Sequence, residues 1–540
     1  MGAEAQACWR RCRVNAFISI EEIRAMQRDG ELGEPTAPAP KPRHQKAAKP
    51  TPAPKPPGLL AWEAEQREAR KAANDNARDK DSIVDDETVD SDVRISMMLA
   101  DRMAGTFLYE HGGKGWRVYL DGRWMACATG EETELAKVIG PAILKEALSS
   151  TASDPDAAGR MIRLAKRAMS AAGVSAALQL ARSDRRLAAR PDEFDQDPDL
   201  LNVANGVIHL PSGELRPHSP DMRMVRQSPV EYKPDAQAPQ WLKFLDEISC
   251  HDADWIDYLR RALAYTLSGR VNEEMLFFML GRGANGKSVL VNVLRSVLGP
   301  FVGSVPTSFL ATSKNDDKEG ASPVKASLQG LRMALANEVE AGSKLSAQTV
   351  KEVTSTEAIA ARHLYKDLFN FTPTHKLWVR GNHKPIIMDN DEGIWRRIAL
   401  IPFERNFSPD EQDKRLEERL LSEREGILAW LVGGYAEYQR HGLRPARRVA
   451  AASAAYRAES DLVGQWLDEE AEIVPGMTCL KDDAYQSYVD WCRRDGLDPK
   501  TKTTLTRMLD ERGITSGQAN TAGRPRIYKG MRLKSESRPF

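Results

Sequence analysis

The 540-residue chain has little of what marks secreted, membrane or metal-clustered proteins. Its six cysteines, Cys8, Cys12, Cys127, Cys250, Cys479 and Cys492, are scattered without CxxC spacing or a matching histidine cluster. That pattern argues against a disulfide framework or a zinc site, and only Cys8 and Cys12 are close enough in sequence to share a metal. No apolar run approaches the roughly 20 residues that span a bilayer; 275-MLFFML-280 stops at six. The N-terminus also lacks a signal-peptide core, so a cytoplasmic protein with no membrane partner is expected. Net charge is missing too, with 77 Lys plus Arg against 77 Asp plus Glu. The whole-chain balance therefore names no partner, and only local charge can. What remains, 41% hydrophobic and 29% charged residues, suits about three or four domains with real cores.

The boundaries are legible along the chain. Residues 1–33 are at most a short helical fragment. They precede 35-PTAPAPKPRHQKAAKPTPAPKPPG-58, too rich in Pro, Ala and Lys to build a core, and an extended tether of about 70 Å at ~3.1 Å per residue. The charged run 61–92 completes a linker over 34–94. In 107-FLYEHGGKGWRVYLDGRWMAC-127 alternating aromatics and glycine turns predict short strands, and helical patterns fill 132–190. A hairpin is expected around Pro211-Ser212-Gly213. From Trp241 to about Arg440 strands and helices alternate, an α/β pattern. No internal repeat is present.

One stretch carries chemistry on its face. The loop 281-GRGANGKS-288 satisfies G-x-x-x-x-G-K-[ST], and it follows an apolar strand and opens an amphipathic helix ending at Gly299-Pro300, the context the motif requires. Glycines let the backbone wrap phosphates with its N–H groups, and the helix N-terminus adds partial positive charge. Lys287 then reaches the β- and γ-phosphates and Ser288 ligates magnesium. The residues expected around ATP and Mg2+ are Gly281, Gly283, Ala284, Asn285, Gly286, Lys287, Ser288 and Val289. The alternative is a glycine-rich turn that binds nothing.

A P-loop needs a second, acidic strand, for which 332-RMALANEVE-340 is the candidate. Glu338 would polarise the attacking water or hold the metal, and Glu340 is placed to share that work. Asn337 stands where many P-loop ATPases carry a metal-binding Asp, and the bland reading is a strand end with solvated acids. A third strand, 376-KLWVRGN-382, ends in Asn382, suited to hydrogen-bonding the γ-phosphate or lytic water. In 393-GIWRRIALIPF-403 Arg396 and Arg397 precede another apolar strand. Either is a finger reaching a neighbouring subunit's nucleotide, or the two are a salt-bridged surface pair.

The order GANGKS, ANEVE, 351-KEVTSTEAIAARHLYKDLFNFTPTHKLWVRGNHKP-385 and GIWRRIALIPF, all within about 120 residues, resembles the superfamily 3 helicases. Within them it is similar to the phage and plasmid primase-helicase branch related to the poxvirus nucleic-acid-dependent NTPase. The stretch 194-FDQDPDLLNVANGVIHLPSGELRPHSP-220 resembles the accessory domain before the motor in that branch. The resemblance implies an AAA+-like α/β P-loop ATPase core over 241–445, an α+β accessory domain over 95–240 and a C-terminal winged helix over 460–540. It further implies a homo-hexameric ring in the bacterial host cytoplasm that hydrolyses ATP to move on single-stranded DNA and unwind forked DNA. On this resemblance Lys287 and Ser288 bind ATP and magnesium, Glu338 serves the acidic strand, Asn382 is the sensor, and Arg396 or Arg397 is the finger. The segment between acidic strand and sensor corresponds to a DNA-contacting hairpin, making Arg362, His363 and Lys366 candidates for gripping phosphates.

Local charge supports a nucleic-acid partner independently. Residues 500–540 hold ten Lys or Arg against three Asp or Glu, a concentration expected of a DNA-binding segment. Helical patterns at 482–494 and 503–511, then 514-ITSGQANTAGRPRIYKGMRL-533, read as helix, helix and wing, with Arg524, Arg526 and Lys529 toward the DNA backbone. A basic tail packed on acidic neighbours is the other reading. Many relatives of this branch carry a primase domain upstream. Residues 1–33 are too short for one, and 85-DDETVDSD-92 has acids without an apolar strand, so no primase activity is expected and a separate primase is a candidate partner. Two other classes stay open: a P-loop ATPase that loads or remodels replication proteins, and a DNA-binding regulator with an ATPase switch.

Overall fold

Ser91 accepts a hydrogen bond from the Arg94 backbone N–H at 3.4 Å, and Asp92 follows it in the first turn. An N-cap oxygen with an acid behind it starts a helix, and α1 (Asp92–Met103) begins there, taking in the last three residues of the expected linker. The computed structural model describes residues 91–150, 155–312, 322–337, 343–364, 366–387, 392–520 and 524–534. The expectations for 1–33, the proline-rich tether and Cys8 with Cys12 lie outside these residues, as do those for Glu338 and Glu340. The chain divides into two units, the first holding described residues up to Tyr109 and Cys127–Ala188, the second Glu110–Ala126 and Ala189 onward.

The first unit is mainly helical. After α1 come α2 (Glu131–Lys137), α3 (Ile139–Ser150), α4 (Pro155–Ala168) and α5 (Ala171–Ala181). Helix α1 buries Ile95, Leu99 and Met103, the i, i+4 stripe of an amphipathic helix. The short strands β1 (Phe107–Glu110) and β4 (Ala188–Ala189) lie where the chain passes between units.

In the second unit β2 (Gly115–Leu120) and β3 (Arg123–Ala126) form an antiparallel hairpin. The buried Asn202 donates from Nδ2 to the Gly122 carbonyl at 3.1 Å and the Arg226 carbonyl at 3.0 Å, fastening that hairpin to β5 (Leu200–Val203). Strands β6 (Gly206–His209) and β7 (Glu214–Arg216) complete an antiparallel sheet with β5, and the expected turn at Pro211-Ser212-Gly213 joins them, with Gly213 at φ +68°. Leu201, Val203 and Ile208 enter the same core as the main sheet.

That main sheet is parallel throughout. Strands β8 (Leu276–Leu280), β9 (Val302–Val305), β10 (Met333–Asn337), β14 (Lys376–Gly381) and β16 (Ile398–Pro402) lie in the order β16-β8-β14-β10-β9. Near-continuous apolar runs are what strands covered on both faces require, and alternate residues divide between two cores. Phe277, Met279, Leu335, Trp378 and Ile401 face one core, shared with α6 (Pro239–Ile248), α7 (Ala253–Leu267), α8 (Lys287–Leu298), α12 (Leu416–Ser422) and α13 (Arg424–His441). Phe278, Ala334, Val379 and Leu400 face the other, shared with α9 (Pro323–Ser327), α10 (Ala347–Thr354), α11 (Glu392–Trp395) and α14 (Arg447–Ser460). The α/β expectation for 241–440 thus becomes a helix–sheet–helix stack. A parallel pair, β11 (Lys344–Leu345) with β15 (Ile386–Ile387), and an antiparallel hairpin, β12 (Ile359–Arg362) with β13 (Leu368–Phe371), are inserted between the strands.

The C-terminal segment has its own core. Helix α15 (Leu462–Glu470) leads into β17 (Ala471–Leu480), then α16 (Lys481–Arg494), α17 (Lys502–Asp510), β18 (Thr515–Gln518) and β19 (Arg526–Leu533), the strands forming an antiparallel sheet ordered β17-β19-β18. Trp466, Tyr488, Leu505, Leu509 and Tyr528 are fully buried between sheet and helices. The two helices and the strand–turn–strand read from sequence are all present. Among the described residues no helix is long and apolar enough to cross a membrane.

Candidate nucleotide cleft and basic hairpin

In an open parallel sheet, ligands bind beyond the carboxyl ends of the strands where the connections change direction. Here that point is β8, whose chain runs on through α8 to the far edge strand β9 while β16 takes its other side. The loop between β8 and α8 is 281–286. The Gly281 N–H donates to the Gly381 carbonyl at 3.2 Å, and a Cβ on Gly281 would lie 2.4 Å from the Phe403 carbonyl oxygen. Gly286 sits at φ +84° with a Cβ position 2.5 Å from Ile248 Cγ2, so conformation and space both demand glycine. Gly283 and Ala284 are also left-handed, at φ +95° and +44°. The Phe407 N–H holds the Ala284 carbonyl at 2.8 Å. Left-handed residues in such a turn bring successive N–H groups to one concave side, an anion-binding shape.

Lys287 is the first residue of α8 and only 4% exposed. Its Nζ donates to the Gly281 carbonyl at 2.6 Å and Asn285 Oδ1 at 3.0 Å. Burial, and then the positive charge of Arg380, push its pKa down to about 8. Ser288 is exposed, and its Oγ accepts from Arg380 Nη1 at 3.0 Å. A hydroxyl at a helix N-terminus, beside a phosphate-shaped loop, suits the hard oxygen coordination that magnesium takes.

Around this loop opens a cleft of about 640 Å³. It is lined by the loop, Ser288 and Val289, by Arg380 and Asn382 at the end of β14, by Gln240, Phe244 and Glu247 of α6, and by the stretch from Phe407 to Lys414. The eight residues expected around nucleotide are accordingly together except that Gly281 sits behind the loop, and Asn382 joins them. The sequence reading missed Arg380, α6 and the Phe407–Lys414 stretch. In that stretch Glu411 is tied to the Ser408 N–H at 2.9 Å and to Arg405 Nη2 at 2.6 Å, contacts that hold its carboxyl below the usual range.

Asn337 ends β10, beside Arg380 in the sheet register, and its Oδ1 is buried without a hydrogen-bond partner among the described residues. Arg396 and Arg397 are absent from the cleft. They precede β16, whose first residue pairs with the first residue of β8, so they sit at the other end of the sheet, about 16 Å away for a five-residue strand. There they differ. Arg397 is buried, donating to the Gly393 carbonyl at 2.8 Å and Glu274 Oε2 at 2.6 Å. Arg396 has a side chain 64% exposed and only a 3.6 Å approach to the same carboxylate.

Arg362, His363 and Lys366 are together at the exposed end of the β12–β13 hairpin. The His363 ring stacks on Phe369 with centroids 5.1 Å apart, while Leu364 and Leu368 are each 67% exposed beside the cations. In the C-terminal sheet Arg524, Arg526 and Lys529 are exposed on and before β19.

Comparison with known proteins finds two family matches and a set of viral relatives. Residues 96–250 match the family described as D5 N terminal like, and 279–397 match a family of unknown function (DUF5906). The chain is 28% identical over 323 residues to "Putative helicase L207/L206" of Acanthamoeba polyphaga mimivirus, covering 55% of this chain and 33% of that one. It is 26% identical over 385 residues to "Putative helicase 022R" of Frog virus 3, and 22% over 368 residues to "Putative primase C962R" of African swine fever virus. These cover 56% and 63% of this chain but 39% and 38% of the relatives, so the chain spans between a third and two-fifths of their length. Among solved structures, the apo NrS-1 C terminal region (305-718) aligns over 81% of this chain and 99% of its own at 13% identity, with a TM-score of 0.43 that is too low to establish a shared fold. The chain is thus similar to proteins named putative helicases and primases of large DNA viruses, and its residues 96–250 match the D5 N terminal-like family.

Proposed function

We propose that the protein is an ATP-dependent DNA helicase of the superfamily 3 type, acting as a ring on single-stranded and forked DNA. One observation carries this reading: Lys287, Ser288 and Asn382 line one wide cleft at the switch point of a parallel sheet, beside a loop with left-handed turns at Gly283, Ala284 and Gly286, the backbone pattern of an anion-binding nest. The loop N–H groups and Lys287 hold the β- and γ-phosphates, Ser288 supplies a metal ligand, and Asn382 orients the attacking water. Magnesium bound there neutralises developing charge on the phosphates. Glu338 or Glu340, next in sequence after Asn337, supplies the base.

A group at the far end of the sheet cannot touch its own subunit's nucleotide. Arg396 therefore serves a neighbour's cleft, which makes a closed ring, taken here as a hexamer, part of the reading. Arg397, tied to Glu274 and a carbonyl, holds the local backbone. The exposed hairpin cations Arg362 and Lys366, with His363, grip strand phosphates, and the C-terminal unit is a winged helix whose Arg524, Arg526 and Lys529 meet the DNA backbone. The deciding experiment is strand displacement from a forked duplex with ATP and magnesium. Wild-type protein should unwind it, with ATPase stimulated several-fold by single-stranded DNA. Lys287→Ala should abolish both with the fold intact, because that side chain stabilises charge on phosphate. ATPase stimulated by a protein client and not by DNA would favour a loader or remodeller instead.

A further inference from the structure

Arg380 belongs to a strand whose other polar groups face the sheet's ends, and its position is dictated by alternation. Leu377 and Val379 face one core while Trp378 stacks on Phe277 in the other, ring centroids 4.5 Å apart. Arg380, one step past Val379, emerges on the Trp378 side, where α8 begins. It neighbours Met279 in the register, and the next residue, Gly381, accepts the first N–H of the phosphate loop. The backbone at Arg380 is thus fixed against the loop by sheet hydrogen bonds, and only its long side chain is free to choose a partner.

Its partner is unusual. The guanidinium donates to Ser288 Oγ at 3.0 Å and has no carboxylate within salt-bridge distance among the described residues. Two cations, Arg380 and Lys287, therefore face one cleft, and neither forms a salt bridge among the described residues, an arrangement that lowers in energy when an anion enters. The hydroxyl that Arg380 holds is the one assigned above to the metal. A metal cation held by that oxygen would be repelled by a guanidinium 3.0 Å from the same atom.

We propose that Arg380 is the residue by which the cleft tells a nucleoside triphosphate from a diphosphate. Metal–nucleotide binding takes the Ser288 oxygen, the guanidinium is released, and it pairs with the terminal phosphate oxygens when a γ-phosphate is there to receive it. With a diphosphate it is released without a partner. A planar guanidinium matches phosphate oxygens in pairs, which an ammonium does not. The role lies within one subunit, unlike that given to Arg396, and it rests on the nucleotide reading of the cleft.

The test measures equilibrium binding of fluorescent ADP and a non-hydrolysable ATP analogue, each with magnesium, to wild type, Arg380→Ala and Arg380→Lys. In Arg380→Ala the analogue should weaken tenfold or more while ADP changes less than threefold or tightens, and the magnesium needed to half-saturate ADP binding should fall. Arg380→Lys should recover part of the analogue's affinity. Equal weakening of both nucleotides, the mark of a merely structural role, or no change in either, overturns the inference while leaving the cleft reading intact. Wild-type protein that binds neither nucleotide overturns both.

Discussion

The two ends of the central sheet carry the same kind of residue put to opposite ends. At the carboxyl ends of the strands, Lys287 and Arg380 line an open cleft. At the amino ends, Arg332, Lys376 and Arg397 precede or open β10, β14 and β16, and all three are buried. Lys376 donates to the Ser268 and Thr374 carbonyls and lies 4.5 Å from the Tyr265 ring centroid. Arg332 Nη2 donates to the Leu200 carbonyl at 3.3 Å, joining β10 to the accessory sheet. A buried cation by itself says nothing about ligands. What separates the ends is access: Lys287 also donates to a backbone carbonyl, but it and Arg380 line an open cleft, whereas Arg332, Lys376 and Arg397 are enclosed among carbonyls, Glu274 and the core.

The largest effect expected from this comparison is at Arg396, an amino-end cation whose side chain is exposed. Arg396→Ala should leave nucleotide binding nearly normal and lower turnover about 10³-fold, on the scale of arginine fingers. Mixing it with Lys287→Ala subunits should restore some ATPase, because one type of interface then pairs an intact loop with an intact finger. If mixed rings form and no activity returns, the neighbour role is wrong. Arg397→Ala should instead lower stability, since it strips partners from Glu274 and the Gly393 carbonyl.

Lys376 should behave as structure alone. Lys376→Ala removes a buried side chain and leaves the Ser268 carbonyl without its donor, a loss of roughly 3 kcal/mol from cavity and hydrogen-bond terms together. Chemical denaturation should read that loss while the nucleotide affinity of the folded fraction stays within about twofold, as a side chain outside the phosphate site makes no uniform-binding contact. A large change in affinity would erase the distinction between the ends.

How far these roles were readable from sequence follows from how each is encoded. The glycine-rich loop was legible as a candidate because the size of a polyphosphate would fix the spacing from Gly281 to Ser288, and the flanking apolar strand and helix have their own periodicities. The main strands and the C-terminal helices were legible for the same reason. Arg380 was not, because in 376-KLWVRGN-382 it looks like one more strand residue until the register places it beside Met279. Helix α6 and the Phe407–Lys414 stretch were invisible as cleft walls, since they approach from about 40 residues before the loop and 120 after it in a chain whose long-range packing has no sequence period. Arg396 and Arg397 were indistinguishable as a pair. The choice between them depends on Glu274, which is more than a hundred residues away.

The smallest effect is also the most direct comparison of the two ends, because it titrates one of them. Lys287 has its pKa pushed down to about 8, by burial first and then by Arg380, whereas an ordinary lysine titrates near 10.4. Phosphate binding requires the ammonium form, so below pH 8 nucleotide affinity should be flat, and above it affinity should fall about tenfold per pH unit until the bound-state pKa is reached. Stability should move the other way. Between about pH 8 and 10.4 the unfolded chain holds a proton on this residue that the folded chain has lost, so the contribution of Lys287 to stability rises with pH. The two trends can be separated from other titrations by difference. Lys287→Arg stays charged through this range and should bind weakly but with a flat profile to pH 10, and Lys287→Met should lose the stability trend that wild type retains. Lys376→Ala, altered at the opposite end, should keep the wild-type pH dependence of binding. A wild-type profile flat to pH 9.5 would mean that Lys287 titrates nearer an ordinary lysine, whereas Lys287→Met that binds nucleotide as tightly as wild type would mean that Lys287 is not the group meeting the phosphates, and the two ends of the sheet would then differ in exposure but not in chemistry.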